Sequence, residues 1–158
     1  MNHQPILLAE DSAEDAYFIR RAFEKAQVTN RIEVVPDGQQ ALAYLRGLGQ
    51  YADRDRFPFP VLVLLDMKMP GMDGMQTLAE IRKDPELKRL VVIFLTSANQ
   101  ESEINLAFDQ RVNAYLVKSS NLERMAEACE RLKNYWLLQN HFPRPPGDEN
   151  RNRTVTCL

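Results

Sequence analysis

Apolar positions change their spacing regularly along the chain. Short apolar runs at residues 5–9, 31–35, 60–65, 90–95 and 113–117 alternate with longer stretches in which apolar residues recur every three or four positions. Runs of that length, rich in branched side chains, predict strands, and the longer spacing predicts amphipathic helices. The run VLVLL before Asp66 is the plainest case. It is apolar on both of its alternating sets, as a strand buried on both faces of a parallel sheet must be. Asp66 then stands at its carboxyl end, ahead of a turn at Pro70-Gly71.

Between the strands, start and stop signals sharpen the helices. Ser12 is placed to cap a helix that turns Ala16, Ile19, Phe23 and Ala26 to one side. Ala41, Leu42 and Leu45 mark a second helix over 38–48. Asp73 caps a third, with Met75, Leu78 and Ile81 inward. Asp84-Pro85 closes it, because the residue before a proline is pushed out of the helical region. Residues 99–109 form a weaker fourth helix. Ser120-Asn-Leu-Glu123 has the pattern of a capping box opening a last helix that runs to about residue 139. Its apolar stripe is Leu122, Met125, Cys129, Leu132 and Trp136.

Five strands alternating with five helices predict an α/β fold of the doubly wound kind, a parallel sheet with right-handed crossovers. Ligands of such sheets bind beyond the carboxyl ends of the strands, where the strand order reverses.

Composition narrows the class. A chain of 158 residues suits one domain. With 20 basic against 22 acidic residues the formal charge is −2, so no basic surface for nucleic acid is expected. The N-terminus lacks the pattern of a signal peptide, and the run 90–95 is far too short to span a bilayer, which predicts a cytoplasmic protein without a membrane. Cys129 and Cys157 have no metal-ligand spacing and read as free thiols, and without a signal peptide the sequon at Asn152-Arg-Thr154 reads as accidental. Gly47-Leu-Gly-Gln-Tyr-Ala52 imitates a dinucleotide fingerprint but follows a helix instead of a strand. His3 and His141 are too far apart to suggest a triad or a metal site.

The chemistry collects at one edge. Glu10 and Asp11 follow the first strand, Asp66 the third, Thr96 and Ser97 the fourth, and Lys118 the fifth. Three neighbouring carboxylates repel one another, so a hard cation is their natural partner. Mg²⁺ with water and a phosphate completes such a set. Asp66 can then act as a nucleophile that forms an acyl phosphate, with the metal and Lys118 neutralising charge on the transferring group. The Thr96 hydroxyl can report the phosphoryl group's arrival. A chance cluster of caps and turn residues would not bring Thr96 and Lys118 to the same edge.

The acidic pair Glu10-Asp11, Asp66 followed by MKMPGMDG, Thr96, and Tyr115-Leu-Val-Lys118 resemble the receiver domain of two-component response regulators over about residues 5–138. The resemblance implies the flavodoxin-like (βα)5 receiver fold with strand order 2-1-3-4-5. It implies Asp66 as phosphoacceptor for a histidine kinase, and Mg²⁺ held by Glu10, Asp11, Asp66 and the backbone carbonyl of Lys68. It also implies Thr96, Lys118 and the switch aromatic Tyr115 as the phosphoryl-responsive set, with output through the fourth helix, fifth strand and fifth helix. Lys68 and Ala98 occupy the two positions that influence phosphate lifetime in this family. Two departures stand out: Ser119 follows Lys118 where many receivers have proline with a cis peptide, and the link over 47–60 is long.

Asn113-Ala-Tyr-Leu-Val-Lys-Ser-Ser-Asn-Leu122, that long link and Tyr135-Trp-Leu-Leu138 resemble the small regulators that partner phytochrome histidine kinases. The narrower resemblance implies a phytochrome-type kinase and a homodimer through Tyr135, Trp136, Leu137 and Leu138 on the extended last helix. Tyr135, Leu137 and Leu138 widen the apolar stripe beyond one sheet face. Alternatively, His141-Phe142-Pro143 folds back over them within one chain.

The expected domain is 1–142, a receiver with an extended last helix, and 143–158 reads as a disordered tail from its Pro, Asn and Arg content. The expected function is a single-domain response regulator that is a phosphoacceptor and not an enzyme. Two rivals are a dimeric scaffold indifferent to phosphate and a Mg²⁺-dependent phosphohydrolase. The second is disfavoured because Lys68 stands where haloacid-dehalogenase-like enzymes carry a catalytic aspartate.

Overall fold

The computed structural model describes residues 4–97, 100–143 and 146. Five strands, β1 (Ile6–Ala9), β2 (Ile32–Val35), β3 (Leu62–Leu65), β4 (Val92–Thr96) and β5 (Ala114–Val117), form one parallel sheet in the order β2-β1-β3-β4-β5. Their registers align the carboxyl ends: Ala9 pairs with Leu65, Leu65 with Phe94, and Thr96 with Val117. The helices between them are α1 (Ala13–Lys25), α2 (Gly38–Arg46), α3 (Gly74–Lys83), α4 (Glu101–Asp109) and α5 (Leu122–Leu132).

The sheet divides the core. Alternating residues such as Leu7, Val63, Leu65, Val92 and Phe94 pack against α2, α3 and α4. Ile6, Leu8, Leu62, Leu64 and Ile93 face α1 and α5. Every residue of β1, β3 and β4 is buried, as the unbroken apolar runs require, whereas β5 at the edge is only partly so.

Caps explain the helix starts. The side chains of Ser12, Asp37 and Asp73 accept from the backbone N–H groups of Asp15, Gln40 and Gln76, and Gln76 completes a capping box with Asp73. At α5 the expected cap moves by one residue. Asn121, not Ser120, accepts from the N–H of Arg124, while the Ser119 hydroxyl accepts from the N–H of Asn121. Either a serine or an asparagine can cap, and the serine turn just before it selects the second.

The last helix also departs from a uniform α-helix to residue 139. From Lys133 to Gln139 it is π-helical, closed by a bond from the Asn140 N–H to the Tyr135 carbonyl. The wider turn lets the consecutive Trp136 and Leu137 both lean on the α1/α5 side of the core. Lys133 donates to the Ala26 carbonyl at 2.6 Å, tying this segment to the end of α1.

The long link after α2 is built, not loose. Gly47 ends α2 in the left-handed region at φ 66°, and a 3₁₀ turn follows at Gly49–Tyr51, so the glycines serve turns and not a dinucleotide. The Arg54 guanidinium donates to the carbonyls of Tyr44 and Leu45 at 2.7 and 2.6 Å, satisfying the carboxyl end of α2. Tyr44, Tyr51 and Phe57 pack their rings against one another. Cys129 is a buried free thiol, pushed by burial up to about 12. Cys157, His3, the sequon and most of the expected tail lie outside the described residues. No helix among the described residues is long and apolar enough to cross a membrane.

Candidate functional site

The parallel register sets the site. Asp66 N–H donates to the Ala9 carbonyl and Glu10 N–H to the Val35 carbonyl, so the residue after β1 and the residue after β3 leave the sheet side by side. On the other side, Lys118 N–H donates to the Thr96 carbonyl and brings the residue after β5 to the same edge. Glu10, Asp66 and Thr96 are buried, while Asp11 is exposed.

One oxygen from each of Glu10, Asp11 and Asp66 lies within 4.8 Å of the others. These are hard oxygen donors in a compact group, and the set fits a divalent cation of the Mg²⁺ or Mn²⁺ kind. The remaining bonds orient the carboxylates: Glu10 Oε1 accepts from the Ser12 N–H at 3.0 Å, and Asp66 Oδ1 accepts from the Lys68 N–H at 3.3 Å.

The Lys118 ammonium bridges the group. Its Nζ donates to Glu10 Oε2 at 2.6 Å, Asp15 Oδ2 at 2.9 Å and Asp66 Oδ2 at 3.0 Å. Burial pulls the Lys118 pKa down, but these three carboxylates outweigh it and hold the group above its ordinary value, so it is an ammonium at neutral pH. Burial raises Glu10 against the opposing pull of Lys118.

The expected residues Glu10, Asp11, Asp66, Thr96 and Lys118 therefore meet at one edge. Ala98 lies outside the described residues. Tyr115 is partly buried on β5, edge-on to Phe94 with ring centroids 6.0 Å apart, and burial raises its phenol, with Glu103 and Asp66 adding to the effect. Lys68 extends outward toward α4, its Nζ 3.7 Å from Glu103 Oε1. Among the described residues no peptide bond is cis.

Two contributors were not expected. Asp15 sits in the first turn of α1 and reaches Lys118, and only the packing of α1 beside the β5–α5 connection reveals that contact. Its sequence signal was an acid three residues after a capping serine, which reads as helix chemistry alone. Glu103, in the first turn of α4, was hidden in the same way.

Of the four apolar residues expected at a partner surface, Trp136 and Leu137 pack against the core with Phe142. Tyr135 and Leu138 stay 55% and 62% exposed. Half of the set is thus drawn onto the core and the other half remains open; Leu106 and Phe108 of α4 and Val117 of β5 are also exposed.

Five parallel strands in this order, with acids after β1 and β3 and a lysine after β5, define the receiver class. The sequence profile of the response regulator receiver domain matches residues 6–130, and the chain belongs to that family. Response regulator Rcp1 of Synechocystis is 34% identical over 84% of this chain and 88% of its own. The probable methanogenesis regulatory protein FilR2 of Methanothrix harundinacea is 38% identical over 89% and 88%. Among solved structures, the phosphorylated cyanobacterial phytochrome response regulator RcpA is 36% identical, covers 90% of this chain and 100% of its own, and superposes with a TM-score of 0.81. The Mn²⁺-bound form of Rcp1 is 33% identical over 89% and 99%, with a TM-score of 0.77.

Proposed function

We propose that this response regulator is a phosphoacceptor in which Asp66 takes a phosphoryl group from a histidine kinase in a Mg²⁺-dependent step. The observation that carries the reading is the shared ammonium: Lys118 lies 3.0 Å from Asp66 Oδ2 while also bound to Glu10 and Asp15. It stands where charge on an incoming phosphoryl group would develop.

Glu10, Asp11, Asp66 and the Lys68 carbonyl would hold the cation, which supplies charge neutralisation for the phosphoryl oxygens. An Asp66 carboxylate oxygen attacks phosphorus in line with the departing phosphohistidine nitrogen. The P–N bond breaks, the imidazole leaves, and an acyl phosphate forms on Asp66. Lys118 then turns from a carboxylate-only environment to a phosphoryl oxygen, and the Thr96 hydroxyl donates to another. Tyr115 follows into the space beside Thr96. Such a change can shift the α4, β5 and α5 surface only because the phosphoryl group interacts differently with two conformers.

A phytochrome-type kinase is the donor class supported by the likeness to the phytochrome response regulator RcpA and by residues 113–122. The exposed apolar side chains of Tyr135 and Leu138 support a homodimer through the extension after α5.

The deciding experiment is intact mass after incubation with acetyl phosphate and Mg²⁺. The expected result is one phosphoryl group per chain, lost in Asp66→Asn and in a magnesium-free control. Continuous turnover of an unrelated phosphate ester would indicate a hydrolase instead, and no addition to a folded chain would indicate a phosphate-indifferent scaffold.

A further inference from the structure

We propose that Glu103 is a positioning residue that holds the Lys68 ammonium away from Asp66 and thereby sets the lifetime of the phosphorylated state. The inference rests on the phosphoacceptor reading above and concerns the regulation of that site.

Lys68 lies two residues beyond Asp66, on the loop leading into α3, and its N–H already donates to Asp66 Oδ1. Its side chain is 70% exposed and free to swing, yet it points to α4, where Nζ stands 3.7 Å from Glu103 Oε1. Glu103 is the less mobile partner, with a side chain only 27% exposed. Its second oxygen, Oε2, is buried with no hydrogen-bond partner among the described residues. A buried carboxylate oxygen in that position is costly unless a cation stays close. Lys68 supplies that cation, so the pair joins the acceptor loop to the first turn of α4.

A phosphoryl group on Asp66 changes the competition. It brings nearly two negative charges within reach of the same flexible ammonium. Glu103 and the phosphoryl group then compete for Lys68, and whichever loses forfeits that ammonium's charge. Hydrolysis proceeds by attack of water on phosphorus, cleavage of the bond to Asp66 and return of the carboxylate, with the proton carried off on inorganic phosphate or to solvent. A lysine resting on the phosphoryl oxygens stabilises the acyl phosphate and occupies part of the approach for water. A lysine retained by Glu103 does neither. Neutralising Glu103 therefore prolongs the phosphorylated state.

The test follows loss of the phosphoryl group by intact mass, after acetyl phosphate is removed, in the native chain, Glu103→Gln, Lys68→Met and the double variant. Glu103→Gln is expected to lengthen the half-life about two- to fivefold, the range of a partly exposed ion pair. The change should vanish in the Lys68→Met background. Lys68→Arg, which keeps the cation, should restore the lengthening by Glu103→Gln, which a purely structural role of Glu103 would not produce. An unchanged half-life in Glu103→Gln, or an equal change with and without Lys68, overturns the inference while leaving Asp66 as acceptor. Failure of the native chain to take up any phosphoryl group overturns the acceptor reading and this inference together.

Discussion

At the end of β5 a single ammonium is shared among three carboxylates, two of them buried or nearly so, and this sharing governs the site. Lys118 attracts the acids that a cation would need, so in the proposed mechanism it would lower the site's affinity for Mg²⁺ while preparing it for phosphate. Lys118→Met should therefore bind Mg²⁺ more tightly, by roughly three- to tenfold in calorimetric titration, and take up phosphate from acetyl phosphate far more slowly. An equal loss of both would mean that Lys118 only holds the loop in place. Glu10, Asp11, Asp66, Thr96 and Lys118 were legible in the sequence because each directly follows or ends a strand, and strand ends converge. Asp15 and Glu103 were not, because a carboxylate in the first turn of a helix is what the helix dipole favours anyway. Only the helices' placement against the sheet gives these two a second role.

Among the helices, α3 starts in direct contact with the backbone of the acceptor. The Gly74 N–H donates to the Met67 carbonyl, and a Cβ at Gly74 would overlap the Asp66 carbonyl and stand 2.7 Å from the Met67 Cα. Here the glycine is required by the close approach of helix to strand end. Gly74→Ala is expected to destabilise the fold by about 1–3 kcal/mol in urea titration, the range for overpacking. It should also slow phosphorylation by more than that loss of folded protein explains, since the displaced atoms belong to Asp66. Unchanged stability would show that the helix can retreat without strain. The element pattern itself was readable: all five strands and five helices stand where apolar spacing put them, with ends differing by a few residues. The cap at Asn121 and the π-helical turn after Leu132 were not readable, because adjacent Ser and Asn cap almost equally well and because a wide turn depends on what Trp136 and Leu137 lean against.

For the whole molecule, the exposed Tyr135 and Leu138 on the extension after α5 argue for self-association through it. Sedimentation of the native chain should give a dimer, and Leu138→Glu, which places a charge on the open part of the face, should give a folded monomer with unchanged uptake of phosphate at Asp66. A native monomer at tens of micromolar would remove the dimer and leave the face to another partner. The two-sided core bears on how such a face can diversify. Packing around α2, α3 and α4 is walled off from packing around α1 and α5 by strands buried on both sides. Substitutions on opposite sides of such a wall act nearly independently. Lineages can therefore rebuild the α5 extension for a new associate without re-tuning the half of the protein that grips α3 against the acceptor strand, so inherited chemistry and acquired wiring can evolve at different speeds.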